Sequence, residues 1–191
     1  GALSETLYNG ELRSAIVKCL RQSTDCFKGP HGPIASWDIY AVTDMSYLFA
    51  KEEDYEYGAR KPISGADAFN GDLSKWDVLN VIDMSGMFMF AKSFNSDLSK
   101  WDVANVKKMR AMFGNAKIFT GDLSKWDVSS VENMSGMFGV ATYFDQNLSK
   151  SFIADLSKWD VSRVKNMVGM FGMARSFNAD LSKWDVSSVT N

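Results

Sequence analysis

The sequence predicts an α/β repeat solenoid, a single domain of short parallel strands and short helices stacked unit on unit behind an N-terminal capping helix. Three observations carry that prediction. The six tryptophans, Trp37, Trp76, Trp101, Trp126, Trp159 and Trp184, are separated by 39, 25, 25, 33 and 25 residues, three equal intervals and two lengthened ones. The text around them recurs, so that Phe94 to Ala116 aligns with Phe69 to Ala91 and with Phe119 to Ala141. A fixed period sustained over so many units is the signature of repeats that bury a continuous core by stacking. Composition agrees, because 191 residues at 46% apolar and 23% charged can bury a real core and are too apolar for a disordered chain.

Residues 1–35 read as the cap and a linker. Leu12, Ala15, Ile16, Cys19 and Leu20 fall at helical spacing while Arg13, Lys18 and Arg21 lie off that stripe, which predicts an amphipathic helix from about Asn9 to Gln22 lying over the first rung. Gly29-Pro30-His31-Gly32-Pro33 follows as a turn segment. Residues 36–191 then form the solenoid of about six units.

Within a unit the apolar spacing changes along the chain. Leu98, Trp101 and Val103 follow the pattern Leu-x-x-Leu-x-Leu, in which the last pair points to one side of a short strand and Lys100 and Asp102 to the other. Met109, Met112, Phe113 and Ala116 then sit at i, i+3, i+4 and i+7, one face of a short helix. The unit is therefore leucine-rich-repeat-like. The two long intervals place insertions near 50–68 and 145–152. The first carries Glu52, Glu53, Asp54, Tyr55, Glu56 and Tyr57, a charged and aromatic surface loop. The second is a duplication slip, because Phe144 to Lys150 is followed by the similar Phe152 to Lys158 and only one copy can enter the rung before Trp159.

The unit Asp122-Leu-Ser-Lys-Trp-Asp-Val-Ser-Ser-Val-Glu-Asn-Met-Ser-Gly-Met-Phe138 closely resembles the repeat of the BspA-like leucine-rich-repeat proteins, the group that includes the mycoplasma lipoprotein-type repeat. Trp-Asp-Val, then Val-x-x-Met, then Met-Phe recur in that order from Trp37 onward. The first unit departs from it by lacking the Lys and placing Leu48 where later units have Met. The resemblance implies surface-exposed or secreted adhesion and interaction proteins, hence a non-catalytic protein-binding module at a cell surface or outside the cell. A second reading is a structural subunit of a larger assembly, such as a plastid membrane complex of a microalga, where the repeat also occurs. On that reading the loop at 50–68 and the rung ending at Asn191 would be docking surfaces. The chain stops where earlier units place Met next, as Met134 follows Asn133, so that rung is expected to dock on further chain or on a partner.

Composition narrows the chemistry. A net charge of −2 gives no basic surface for phosphate backbones, and no apolar run is long enough to span a bilayer. One His, in a Gly-Pro turn, leaves no Ser-His-Asp or Cys-His arrangement, so the chain reads as a non-enzyme without a cofactor. Met and aromatic residues at repeat positions read as core rather than as a Met-rich binding surface. The column Asp38, Asp77, Asp102, Asp127, Asp160 and Asp185 could hold a hard cation. It reads instead as a lattice neutralised by Lys75, Lys100, Lys125, Lys158 and Lys183, and a Cys19, Cys26, His31 metal site lacks a fourth ligand.

Two features remain as candidate sites. The outward position after each Val or Ile holds Tyr40, Leu79, Ala104, Ser129, Ser162 and Ser187. It is large and apolar only at the end near the acidic-tyrosine loop, so Tyr40, Leu79, Tyr55, Tyr57, Asp38 and Asp77 form the candidate partner surface. Cys19 and Cys26 could form a disulfide suited to an oxidising compartment, or Cys19 could be a buried thiol on the apolar stripe.

Overall fold

The computed structural model describes residues 6–51, 63–139, 155–174 and 177–191. Its one α-helix among them, α1 (Asn9–Leu20), buries Leu12, Ala15, Ile16, Cys19 and Leu20, the stripe that the spacing predicts, and ends two residues before Gln22. The Glu11 carboxylate accepts the Tyr8 N–H at 3.0 Å and so closes the first turn. Short 3₁₀ turns lie at Ile34–Ser36 and Ala66–Ala68.

Beyond α1 the architecture departs from the expected α/β solenoid. The described repeats contain no strand of a sheet and no α-helix; successive units meet through isolated parallel bridges at Asp44, Asp83, Lys108, Asn133 and Asn166. Two physical causes replace the strand and the helix. In the Trp-Asp-Val segment, Asp side chains capture the amide two residues on, as Asp72 does for Ser74 at 2.9 Å and Asp77 for Leu79 at 3.1 Å. Amides also close tight turns, Trp76 N–H to Leu73 O and Val81 N–H to Val78 O. Such local bonds compete with a ladder and win. In the Met-x-x-Met-Phe segment a residue with positive φ stands in the middle: Tyr47 (54°), Gly86 (60°), Ala111 (50°), Gly136 (61°) and Gly169 (60°). A left-handed residue cannot continue a right-handed helix, so the i, i+3, i+4, i+7 spacing is produced by consecutive turns.

These turn segments form the rungs, and their hydrogen bonds have one direction. Met84, Gly86 and Phe88 donate N–H groups to Lys108, Arg110 and Met112 carbonyls at 2.7–2.9 Å, and Met109, Ala111 and Phe113 repeat this onto Asn133, Ser135 and Met137. One segment earlier the direction reverses, with Ile82 and Asp83 donating back to Thr43 O. Side chains stack in register. Phe49, Phe88, Phe113, Phe138 and Phe171 form a column with ring centroids 5.6–5.9 Å apart. A second column of Phe69, Phe94 and Phe119 lies against it, with Phe88 and Phe94 3.9 Å apart. Trp rings, buried from Trp76 to Trp159 and half-buried at Trp184, add a third, whose indole N–H groups donate to the preceding unit: Trp76 to Ile34 O, Trp101 to Leu73 O, Trp126 to Leu98 O, Trp159 to Leu123 O and Trp184 to Leu156 O, all at 2.8–3.0 Å. Each buried ring thus satisfies its only polar atom. Of the duplicated copies around 145–158, the one containing Leu156 enters the rung, since Leu156 O accepts the N–H of Trp159; the other copy lies outside the described residues.

Met, Trp and Phe at the repeat positions are largely core, as their spacing requires. Met45, Met84, Met87, Met109, Met112, Met134 and Met137 are fully buried, while Met173, which stands outside the consensus, is half exposed. Helix α1 closes the first rung through Leu12 and Ile16, and polar bonds fix its position: Asn9 to Thr43 and Asp44, and the Arg13 guanidinium to Tyr47 O at 3.2 Å.

Candidate interaction surface

One lateral face of the stack is built from the residues between the Trp and Met positions, 38–44 in the first rung and 77–83 in the second. Two side chains of each segment, three residues apart, are buried: Ile39 and Val42, and Val78 and Val81. The turn therefore pushes the intervening residues outward. Tyr40 is 56% exposed, Leu79 38% and Ile82 38%, a cluster of large apolar side chains on neighbouring rungs. In the third rung the corresponding positions are Ala104 and Lys107, and the face loses its apolar character.

The backbone under this cluster is held from both sides. The Tyr40 N–H donates to Asp38 Oδ1 at 3.2 Å, and its carbonyl accepts from the Asn80 side chain at 2.9 Å. The Leu79 N–H donates to Asp77 Oδ1 at 3.1 Å, and its carbonyl accepts from the Asn105 side chain at 2.9 Å. Later units keep the Asp bond, as Ser129 to Asp127 and Ser162 to Asp160, but carry Ser130, Arg163 and Ser188 where Asn80 and Asn105 stand. Tyr40 and Leu79 are thus the two large outward residues whose backbone is clamped by an Asp before and an Asn after. Asn80 and Asn105 are functional candidates that reasoning from the repeat passes over. The available signal was that Asn occupies this position in two consecutive units and only beside Tyr40 and Leu79.

Asp38 and Asp77 therefore act first as turn formers. Asp38 also accepts from the Thr6 hydroxyl. The Lys column acts elsewhere than expected: the charges of Lys100, Lys125 and Lys158 fall on Asp97, Asp122 and Asp155, a separate carboxylate column. Those carboxyls are held below the usual aspartate range, chiefly by side-chain hydrogen bonds from Ser99, Ser124 and Ser157 and next by the amides of the same serines. Glu132 is held low by its hydrogen bond and 3.0 Å ion pair with Lys165. Among the described residues no three His, Cys, Asp or Glu side chains are placed to hold a metal ion together, and no helix is long and apolar enough to cross a membrane.

Tyr55 and Tyr57 lie outside the described residues, so the structure does not join them to Tyr40 and Leu79. Cys19 and Cys26 are fully buried with Cα atoms 5.2 Å apart and face each other as a disulfide pair between α1 and the loop after it. His31 packs edge-on against Trp37, ring centroids 5.7 Å apart.

A model of the family described as "Mycoplasma protein of unknown function, DUF285" matches residues 18–65, 58–151 and 149–191. No curated protein and no solved structure matches the chain.

Proposed function

We propose, from the premise that the chain belongs to this mycoplasma protein family, that it is a non-catalytic protein-interaction module acting at a cell surface or outside the cell. The observation that carries this reading is the clamped apolar pair. Tyr40 and Leu79 are exposed on adjacent rungs while their backbones are fixed by Asp38, Asn80, Asp77 and Asn105. A rigid apolar platform loses little conformational entropy when a partner covers it. The finer likeness of the Trp-Asp-Val and Met-Phe text to the BspA-like surface proteins supports a surface role. A Cys19–Cys26 disulfide would suit an oxidising compartment.

A photo-crosslinking residue in place of Tyr40 tests this against the surface proteins of the cells that make the chain, with the same residue in place of Ser162, in the same column, as control. The reading expects a discrete crosslinked species from position 40 that disappears in Leu79→Ser and is missing from position 162. Equal crosslinking from both positions, or crosslinking from position 40 that ignores Leu79→Ser, would refute it.

A further inference from the structure

We infer that the occupant of this surface is a basic, apolar peptide segment of another protein, one in which Lys or Arg side chains interleave with aliphatic ones. The inference rests on the proposed module and specifies its partner. The apolar cluster of Tyr40, Leu79 and Ile82 is bordered on its Trp side by Asp38, Asp77 and Asp102. Asp77 and Asp102 are exposed, and each spends Oδ1 on the backbone N–H of Leu79 or Ala104. Neither Oδ2 has a partner among the described residues.

The first two rungs carry no Lys or Arg between Asp38 and Asp44 or between Asp77 and Asp83. Basic side chains begin on this face with Lys107 and Lys108, of which Lys108 pairs with Asp83 at 3.3 Å. On its Trp side the border is therefore acidic on all three rungs, whereas the two lysines lie on its Met side, where the Ile82 carbonyl accepts the Lys107 and Lys108 amides. A partner covering Tyr40, Leu79 and Ile82 brings its flanking groups against Asp77 and Asp102. Cationic groups there find free carboxylate oxygens, whereas anionic ones meet like charge. The carboxylates are anchored by their own turns, so they present their free oxygen without further ordering.

The test is fluorescence anisotropy of the intact chain with three labelled synthetic peptides: one alternating Lys and Leu, one with Glu for every Lys, and one with Ser for every Leu. The Lys/Leu peptide is expected to bind, and added salt should weaken it. The other two should bind at least about tenfold more weakly, a difference of about 1.4 kcal/mol. Leu79→Ser should weaken the Lys/Leu peptide about tenfold. Asp77→Asn keeps an acceptor for the Leu79 N–H and removes only the charge, so it should weaken binding several-fold and flatten the salt dependence while leaving thermal stability unchanged.

If the Lys/Ser peptide binds as well as Lys/Leu, the chain is responding to charge alone and the inference fails. It also fails if Glu/Leu binds equally well, or if no peptide binds. An equally bound Glu/Leu peptide that Leu79→Ser releases would leave the module intact and remove only its basic partner. Crosslinking at position 40 decides the module separately from all three peptides.

Discussion

The side-chain oxygen of Asn9 stands against Thr43 where a backbone carbonyl stands in every later unit. It accepts the N–H of Thr43 at 2.9 Å and of Asp44 at 3.2 Å, as Thr43 O accepts from Ile82 and Asp83, and Ile82 O from Lys107 and Lys108. One amide side chain at the start of α1 thus imitates the preceding rung, and its Nδ2 adds a bond to the Thr43 hydroxyl at 3.2 Å.

Asn9→Ala leaves the Thr43 and Asp44 amides to water in place of that acceptor, and equilibrium urea denaturation is expected to show a loss of about 0.5–1.5 kcal/mol. Asn9→Asp keeps a carboxylate oxygen in the same place and is expected to lose clearly less. Equal losses for the two variants would mean that the acceptor is not what matters.

Gly86 and Gly136 occupy the same left-handed position two rungs apart, with φ of 60° and 61°, yet their surroundings differ. A Cβ on Gly86 would lie 2.3 Å from the Tyr47 ring, whereas on Gly136 it would meet only Ala111 Cβ at 3.9 Å. Ala111 itself holds this position at φ 50°, so alanine is tolerable there for its backbone. Gly136→Ala is expected to cost about 1 kcal/mol. Gly86→Ala should cost a further ~1–3 kcal/mol from overpacking against Tyr47, and thermal denaturation of the two variants compares them directly.

Trp101→Phe removes the indole donor to Leu73 O, which keeps the Trp76 N–H as its other partner, so the lost bond is expected to cost about 0.5–1.5 kcal/mol beyond the smaller ring. Trp184→Phe removes the equivalent bond to Leu156 O at 2.9 Å, but Trp184 is only half-buried, so its loss is expected to be smaller. Denaturant midpoints of both variants check the ranking.

Acid should weaken the stack through the second carboxylate column. Asp97, Asp122 and Asp155 are held below their ordinary value in the folded chain, so each contributes stability that is present above an unfolded value of about 3.9 and is lost as pH falls through the lower folded value. Stability is expected to be flat from neutral pH down to that region and to fall below it. Ser99→Ala removes the leading cause at Asp97, and a carboxyl titration followed by NMR should place Asp97 higher than in the parent chain.

Much of the stack was legible before the structure because apolar side chains recur at fixed places. Trp101, Met109, Met112 and Phe113 had to be core whichever local geometry carried them, and the α1 stripe at Leu12, Ile16 and Cys19 had only a helix to explain it. The backbone between those side chains was not legible in the same way. The spacing of Met109, Met112 and Phe113 fits a helix and also fits a turn interrupted by a left-handed residue; Ala111, which takes φ 50°, carries no side-chain signal for that choice. Asp102 was read as a charge, whereas its first role is to accept the Ala104 amide, and Asp97, which accepts the Ser99 amide in the same way, did not stand out at all. At the surface, Tyr40 and Leu79 stood out by size, but the clamp that makes them a platform depends on Asn80 and Asn105 reaching back one rung.

The indole ladder has a consequence for how such chains change length. Trp101 and Trp126 reach back 28 residues for their carbonyl, while Trp159 reaches back 36 and still finds the corresponding Leu123. Phe138 N–H likewise meets Met170 O across the lengthened unit. A slipped duplication at that corner therefore leaves both neighbouring units in phase. Genes for such a stack can gain or lose short segments by unequal recombination without rebuilding the rest, and new surface can arise one corner at a time.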